Sequence, residues 1–386
     1  MYYFDNSATT KIDKEVLDEM MPYLTEKFGN ASTIYSLGIE SRTAILNARE
    51  KVAKALGCSS KEIYFTSSGT ESDNWALKGV AFANKDKGKH IITTAIEHHA
   101  ILHTCEYLEK QGFEITYLPV KENGIIDIEV LKKEIREDTI LISIMTANNE
   151  IGSTQPITEI GNIAKEKGIY FHTDAVQAVG NMEIDVNESN IDLLSFSGHK
   201  INGPKGIGVL YIREGVNIDN LLHGGGQERK RRASTENVAS IVGIGKAVEL
   251  ATQDIDKKSK YLINLREKCI KGILDKIPDT IVNGDREKRL PGNVNVCFKY
   301  IEGESLLLHL DKLGICASSG SACTSGELNP SHVLLAIGLP HEIAHGSLRI
   351  SIGKNNTEEE INYLLSVLPD IVQKLRDMSP LYIKNK

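Results

Sequence analysis

The chain has 386 residues, of which 41% are hydrophobic and 25% charged, a composition typical of a globular protein with a large core. Its 45 basic and 52 acidic residues give a net charge of -7, which argues against broad contact with nucleic-acid phosphates. The first six residues carry no positive n-region and no apolar stretch of the kind that targets or spans a membrane. We therefore expect a cytoplasmic protein with neither a membrane span nor a direct nucleic-acid partner.

The six cysteines lie at irregular spacing and form no CxxC pair, which indicates neither a disulfide framework nor a zinc site. We expect no resident metal ion. Four cysteines lie in apolar-rich surroundings and are predicted to be mostly buried and reduced, namely Cys58, Cys105, Cys269 and Cys297. Cys316 and Cys323 differ, because they flank a stretch of small residues.

From about residue 40 the sequence alternates between helical and strand-like segments, the pattern of a mostly parallel sheet covered by helices. The predicted strands are residues 63–66, 90–94, 114–120, 140–145, 168–173, 191–196 and 207–212. The last two are expected to be neighbours at the edge of the sheet. The fold class is therefore α/β.

Past residue 250 the composition becomes lysine-rich, which predicts a long exposed helix leading into a second domain. In that domain, strands are predicted near 293–298 and 347–352, and helices near 305–313 and 357–375. We expect a large domain at residues 15–254 and a smaller α+β domain formed by residues 1–14 and 255–386.

Polar residues follow five of the predicted strands. Residues 65–72 leave a strand and enter a helix, so their N–H groups and hydroxyls can cup a phosphate, although a Ser/Thr-rich helix cap explains them equally well. Lys200 follows a strand at the place where a desolvated lysine can bond to a carbonyl carbon. Asp174 closes another strand and needs a cationic partner, such as a protonated pyridine nitrogen. With His98 and Asn149 after two more strands, the pattern predicts one ligand site.

In this order along the chain, the motifs resemble the class-V aminotransferase family of pyridoxal-phosphate enzymes, and within it the NifS/IscS-like cysteine desulfurases. The similarity runs from residues 5–10 to residues 347–351. It implies a homodimer whose large, cofactor-binding domain has the aspartate-aminotransferase-like architecture (fold type I), with a mostly parallel seven-stranded sheet flanked by helices.

The resemblance also implies roles for individual residues. Lys200 would bind pyridoxal 5'-phosphate covalently and carry protons, Asp174 would pair with its ring nitrogen, and His98 would stack on the ring and act in catalysis. Thr235 would reach the phosphate in the partner subunit, and Arg349, with Asn149, would bind the substrate carboxylate. The implied cofactor-binding residues are Gly69, Thr70, His98, Asn149, Asp174, Gln177, Ser197, His199, Lys200 and Thr235.

Cys323 lies in the small-residue run 318–326, which indicates a loop rather than a core position. By resemblance it is the catalytic nucleophile that takes sulfur from L-cysteine, leaving alanine and a persulfide. The long loop, about residues 318–332, resembles that of the NifS/IscS-type branch. The persulfide would pass to a sulfur acceptor such as an iron–sulfur scaffold protein, with Cys323 as a transient ligand.

Two alternatives stay open: a selenocysteine lyase or another class-V reaction on the same cofactor, and a noncatalytic sulfur-relay scaffold. Three positions, Tyr35, Ser234 and Lys354, depart from the family pattern. Ser234 places a β-carbon where glycine could adopt a positive φ. The sequence ends at Lys386 without the C-terminal docking extension of IscS-type members, which leaves open whether a scaffold protein docks.

Overall fold

The computed structural model describes residues 1–319 and 330–383, so Cys323 lies outside the described residues. The strands are β1 (Tyr2–Tyr3), β2 (Ile63–Thr66), β3 (His90–Thr94), β4 (Glu114–Leu118), β5 (Thr139–Ser143), β6 (Tyr170–Asp174), β7 (Leu193–Ser197), β8 (Gly208–Ile212), β9 (Thr280–Val282), β10 (Asn293–Phe298), β11 (Ile315–Cys316) and β12 (Ser347–Ser351). The helices are α1 (Lys14–Thr25), α2 (Ser36–Leu56), α3 (Gly69–Asn84), α4 (His99–Lys110), α5 (Ile128–Glu134), α6 (Ile157–Lys167), α7 (Gln227–Lys230), α8 (Val238–Thr252), α9 (Ile255–Lys276), α10 (Gly303–Asp311), α11 (His332–Ala336), α12 (His341–Ala344), α13 (Glu358–Met378) and α14 (Pro380–Ile383). No helix in these ranges is long and apolar enough to cross a membrane.

The largest sheet has seven strands in the order β2-β8-β7-β6-β5-β3-β4. Strand β8 runs antiparallel to both of its neighbours, and the other pairings are parallel, which confirms the mostly parallel sheet. The expectation that β7 and β8 are neighbours is correct, but their placement at the sheet edge is wrong. The short strand β2 adds beyond β8 and forms that edge, a long-range pairing that local sequence does not signal.

Both faces of this sheet are buried, because adjacent residues of a strand point to opposite sides. The pairs Ile91–Ile92, Leu141–Ile142 and Leu193–Leu194 each divide between two hydrophobic cores. One core is closed by α2 and α8, and the other by α3 and α4. Burial on both faces explains why these strands read as continuous apolar runs.

A second sheet is antiparallel, with the order β12-β10-β9, and packs against α9 and α13 through a separate core. Phe4 belongs to this core, and β1 pairs with β11 nearby. We propose, on this basis, that residues 1–14 and 255–386 form the smaller domain and residues 15–254 the larger one.

A buried ion pair fixes the segment around α7 against β2. The Arg49 Nη1 and Nη2 atoms lie 2.8 and 2.7 Å from the two carboxylate oxygens of Glu228, and the Phe65 N–H donates to the same carboxylate at 3.0 Å. Both charged side chains are about nine-tenths buried or more, and Glu228 has a φ of +43°. The pair therefore holds backbone that would otherwise be disfavoured.

We expect Glu228→Gln to lower the free energy of unfolding by about 3–5 kcal/mol, because it leaves the Arg49 cation buried without its counter-charge. Urea denaturation followed by circular dichroism measures the change. Glu129→Gln is the matched control, since Glu129 pairs with Lys132 on an exposed helix surface and should leave the midpoint unchanged. Equal midpoints for Glu228→Gln and the wild type would contradict the prediction.

Candidate functional site

Lys200 ends a short 3-10 turn, Gly198–Lys200, that follows β7 directly. Its Nζ donates to the carbonyl oxygens of Ser7 at 2.5 Å and Ala8 at 2.8 Å. The Gln177 Nε2 atom donates to the same Ser7 oxygen at 3.0 Å. The amino-terminal segment thereby joins Lys200 and Gln177, two of the predicted site residues, at the end of the sheet.

Asp174 is the last residue of β6 and is 6% exposed. Burial raises the pKa of its carboxyl to about 6, and the nearby Lys200 charge opposes that rise. Among the described residues, the Val176 N–H is the one donor to this carboxylate, at 2.8 Å. A buried carboxylate with one hydrogen bond still needs a cationic or donor partner, and a ligand with a protonated ring nitrogen would supply it.

His98 is the N-cap of α4, and its Nδ1 accepts the Ala100 N–H at 3.1 Å. Burial, followed by the charge of Lys200, lowers the pKa of His98 to about 4, so the ring is neutral at pH 7. Since Nδ1 accepts, we assign the single ring proton to Nε2. His98 can therefore offer a hydrogen-bond donor close to Lys200.

The start of α3 approaches the ends of β6 and β7 closely. A Cβ on Gly69 would lie 2.9 Å from Val176 Cγ2 and 3.6 Å from Ser197 Cβ, so there is no room here for a larger side chain. We call this space at the start of α3 the cradle at Gly69. The first N–H groups of α3 have no intrahelical acceptor and can bind an anion. Gly69 and Ser197, two of the predicted phosphate-binding residues, are thus close together.

The contacts of the other predicted phosphate-binding residues, His199, Thr70 and Thr235, do not connect them to Gly69 or Ser197 among the described contacts. The His199 ring contacts Thr9, with Nδ1 and Oγ1 3.1 Å apart, and burial lowers its pKa to about 4. Thr70 and Thr235 are both exposed. Ser234, beside Thr235, has a φ of +136°, a backbone region that favours glycine, as the sequence indicated. The roles of these residues stay predictions.

Arg349 lies on β12 with its side chain 4% exposed. Its Nη2 donates to Asp5 Oδ1 at 2.9 Å, and its Nη1 to the Asn149 carbonyl oxygen at 3.3 Å. The buried Nε has no acceptor among the described residues. Arg349 and Asn149 are therefore adjacent, and the guanidinium retains capacity for a carboxylate ligand.

Both ends of the segment that contains Cys323 are fixed at this site. Ser318 pairs with Arg349 through two backbone hydrogen bonds, of 2.6 and 3.2 Å. At the other end, the Ser331 hydroxyl donates to the buried Glu150 carboxylate. His332 Nε2 lies 2.9 Å from the carbonyl oxygen of Glu97, the residue before His98.

Sequence reasoning missed Ser7, Asp5, Glu97 and Glu150. Glu97 and Glu150 are buried, and burial raises their pKa values to about 8 and about 7. Both adjoin predicted site residues in the sequence, and this adjacency was the available signal. The contacts of Ser7 and Asp5 join residues more than 190 positions apart, which no local pattern reveals.

Comparison with known proteins shows the family. The family model described as aminotransferase class-V matches residues 2–364, so the chain belongs to this family. The chain is 64% identical over 379 residues to the cysteine desulfurase IscS of Methanosarcina thermophila, covering 98% of this chain and 94% of that protein. These matches confirm the predicted family.

Solved structures of similar proteins agree with this family assignment. A NifS-like protein superposes with a TM-score of 0.92 at 42% identity, covering 97% of this chain and all of that chain. The protein SspA, solved in complex with cysteine, superposes with a TM-score of 0.81 at 38% identity, covering 92% of this chain and all of that one. The predicted resemblance to NifS/IscS-like proteins and the predicted fold type are therefore confirmed.

Proposed function

We propose that this chain is a pyridoxal-phosphate-dependent cysteine desulfurase, which converts L-cysteine to L-alanine and places the sulfur on Cys323. The observation that carries the proposal is that polar residues at the strand ends connect to the start of the segment that contains Cys323. Lys200, Asp174 and His98 would provide a cofactor site there. Arg349 donates to the Asn149 carbonyl oxygen and pairs with Ser318, at the start of the segment that contains Cys323.

The described residues fit this cofactor. Lys200 would form its covalent bond to the cofactor, Asp174 would supply the anion for the ring nitrogen, and the cradle at Gly69 would receive the phosphate. When bound, the cofactor withdraws electrons from the α-carbon of the amino acid. Asn149, Gln177, Ser197, His199 and Thr70 are proposed as further contacts, with Thr235 acting across a dimer.

Arg349 would hold the substrate carboxylate, which fixes the α-carbon beside Lys200. The Lys200 amine would carry the α-proton. His98, neutral and donating through Nε2, would manage the proton of the substrate thiol. Burial raises the pKa values of Glu97 and Glu150 to about 8 and about 7, so these two groups carry less negative charge near pH 7 than exposed carboxylates would.

Cys323 follows Ser319 by four residues, a chain length of at most about 14 Å. Its thiolate would attack the substrate sulfur, forming the S–S bond as the C–S bond breaks. A reducing compartment such as the cytoplasm suits this step, because Cys323 must return to the thiol after each transfer. The acceptor would be a protein that takes up persulfide sulfur, such as an iron–sulfur scaffold.

A homodimer is also part of the proposal. Phe28, Ile34 and Tyr35 are 74%, 90% and 56% exposed, and Ile39 and Leu46 add two more exposed apolar side chains on α2. An apolar surface of this kind is unusual on a monomer and typical of an interface. Tyr35, which departs from the family pattern, lies within it.

The proposal is tested by measuring alanine and sulfide released from L-cysteine in the presence of pyridoxal phosphate and a thiol reductant. Equal amounts of both products are expected. Conversion of L-cysteine to its 2-oxo acid, with amino transfer to an acceptor, would favour an aminotransferase. Turnover of selenocysteine alone would favour a lyase, and protein that binds no cofactor would favour a noncatalytic scaffold.

Arg349→Lys should raise the KM for L-cysteine by about 10- to 100-fold with a smaller change in kcat, because lysine cannot replace the forked bond to a carboxylate. Initial rates of alanine formation measure both constants. Asp5→Asn is the control, since it removes the ion pair to Arg349 but keeps the guanidinium, and it should change KM less. A KM unaltered in Arg349→Lys would exclude this carboxylate site.

A further inference from the structure

An ion pair joins the start of α3 to the segment that follows α7. The Arg232 Nε and Nη2 atoms donate to Glu71 Oε1 and Oε2 at 2.8 and 3.0 Å, a forked arrangement. The two side chains are 16% and 12% exposed, so solvent screens their charges only weakly. Arg232 also lines a cavity of about 210 Å³ together with Ser67 and Thr235. The ion pair therefore lies between the start of α3 and Thr235, two of the predicted phosphate-binding elements.

Glu71 places a negative charge in the first turn of α3. The Ser67 N–H donates to Glu71 Oε2 at 2.7 Å, and the Ser67 hydroxyl donates to the same oxygen. Burial alone would raise the pKa of this carboxyl, but the hydrogen bonds from Arg232 and Ser67 outweigh burial and lower the pKa. Glu71 is therefore an anion at neutral pH.

This anion is next to the N–H groups that the proposed phosphate site would use. The Ser68 hydroxyl accepts the Glu71 N–H at 3.1 Å, whereas the Gly69 and Thr70 N–H groups have no acceptor within the described part of the chain. A carboxylate in the first turn of a helix is attracted by the same partial positive charge that attracts a phosphate. Without a counter-charge, Glu71 would therefore repel a phosphate from the cradle at Gly69.

Arg232 is held in place by its neighbours in the chain. The Asn220 Nδ2 atom donates to the Lys230 carbonyl oxygen at 2.8 Å, and Arg231 Nη1 donates to the Ile218 carbonyl oxygen at 3.0 Å. These contacts fix the backbone directly before Arg232. The guanidinium is thus pre-organised against Glu71, and its position does not depend on a bound ligand.

We infer that Arg232 is a positioning residue for phosphate binding, which neutralises Glu71 and thereby allows the start of α3 to hold a dianion. It acts through Glu71 and need not contact the phosphate. The identity of the phosphate as that of the cofactor rests on the proposed function. The charge balance between Arg232 and Glu71 does not.

The test compares two ligands that differ only in the phosphate. Arg232→Gln should weaken the binding of pyridoxal phosphate by about tenfold or more, because like charges in a site of low dielectric repel strongly. Binding of pyridoxal, which has the same ring and aldehyde but no phosphate, should be unchanged. Absorbance titration of the full-length protein measures both affinities. An equal loss for both ligands, or no loss for either, would overturn the inference.

Two further variants test whether Arg232 acts through Glu71. In Glu71→Gln/Arg232→Gln neither charge remains, so the affinity for pyridoxal phosphate should return to that of the wild type. Glu71→Gln alone leaves the Arg232 cation without its anion and should bind pyridoxal phosphate at least as tightly as the wild type. A double variant as weak as Arg232→Gln, or a weakened Glu71→Gln, would contradict a role through Glu71.

Arg231→Gln is the matched control, because it removes a charge of the same sign one residue away, where the contact is to a carbonyl oxygen. It should bind both ligands like the wild type. Inorganic phosphate separates this inference from the proposed function, since it should raise the thermal midpoint of the wild type more than that of Arg232→Gln. Protein that shows this difference but binds no pyridoxal phosphate would refute the proposed function and leave the role of Arg232 intact. Active enzyme whose Arg232→Gln variant binds pyridoxal phosphate normally would overturn this inference alone.

Discussion

Lys200→Ala is expected to reduce alanine formation from L-cysteine by at least about 10³-fold, because in the proposed reaction one side chain both holds the cofactor and carries the α-proton. The Lys200 amine lies close to two other proposed site residues, since its charge acts on Asp174 and on His98. Alanine is measured with the cofactor present in excess. The absorbance of the covalently bound cofactor should disappear together with the activity.

Two controls separate this effect from a loss of structure. Lys200→Arg keeps a cation near the Ser7 and Ala8 carbonyl oxygens but cannot form the covalent bond, so it should be as inactive as the alanine variant. Lys205→Ala changes an exposed lysine five residues away and should behave like the wild type. Normal alanine production by Lys200→Ala would refute the assignment of this residue.

The alternation of helices and strands was predictable because each strand of the large sheet is short, apolar and bounded by polar residues. Strands β2, β3 and β10 begin and end where the sequence predicts. The order of the strands was not predictable from local pattern. It depends on pairings such as β2 with β8, which are separated by more than 140 residues and are stabilised only in the folded chain.

The sequence indicates those parts of the candidate site in which a charged side chain follows a buried strand. A buried aspartate at the end of a strand is costly without a ligand, and Lys200 becomes a candidate only when it is considered together with the other polar residues that follow strands. Ser7 contributes only a carbonyl oxygen, which every residue possesses, and its role depends on tertiary packing alone.

Cys323→Ser is expected to abolish both alanine and sulfide formation from L-cysteine while the cofactor absorbance remains normal. In the proposed reaction alanine forms only if a nucleophile accepts the substrate sulfur, and a serine hydroxyl is far less acidic and less nucleophilic toward sulfur than a thiolate. Mass spectrometry of the wild type without reductant should show one added sulfur atom on the peptide that contains Cys323. The variant should show none.

Cys316→Ser is the matched control, because Cys316 flanks the same run of small residues but lies in β11, paired with β1. It should retain activity and the added sulfur on Cys323. Residual turnover of selenocysteine by Cys323→Ser would indicate a lyase, because selenium leaves carbon more readily and needs no protein thiol. Undiminished sulfide release from L-cysteine would instead remove Cys323 from the reaction, and the cofactor site at Lys200 would then have to serve a different chemistry.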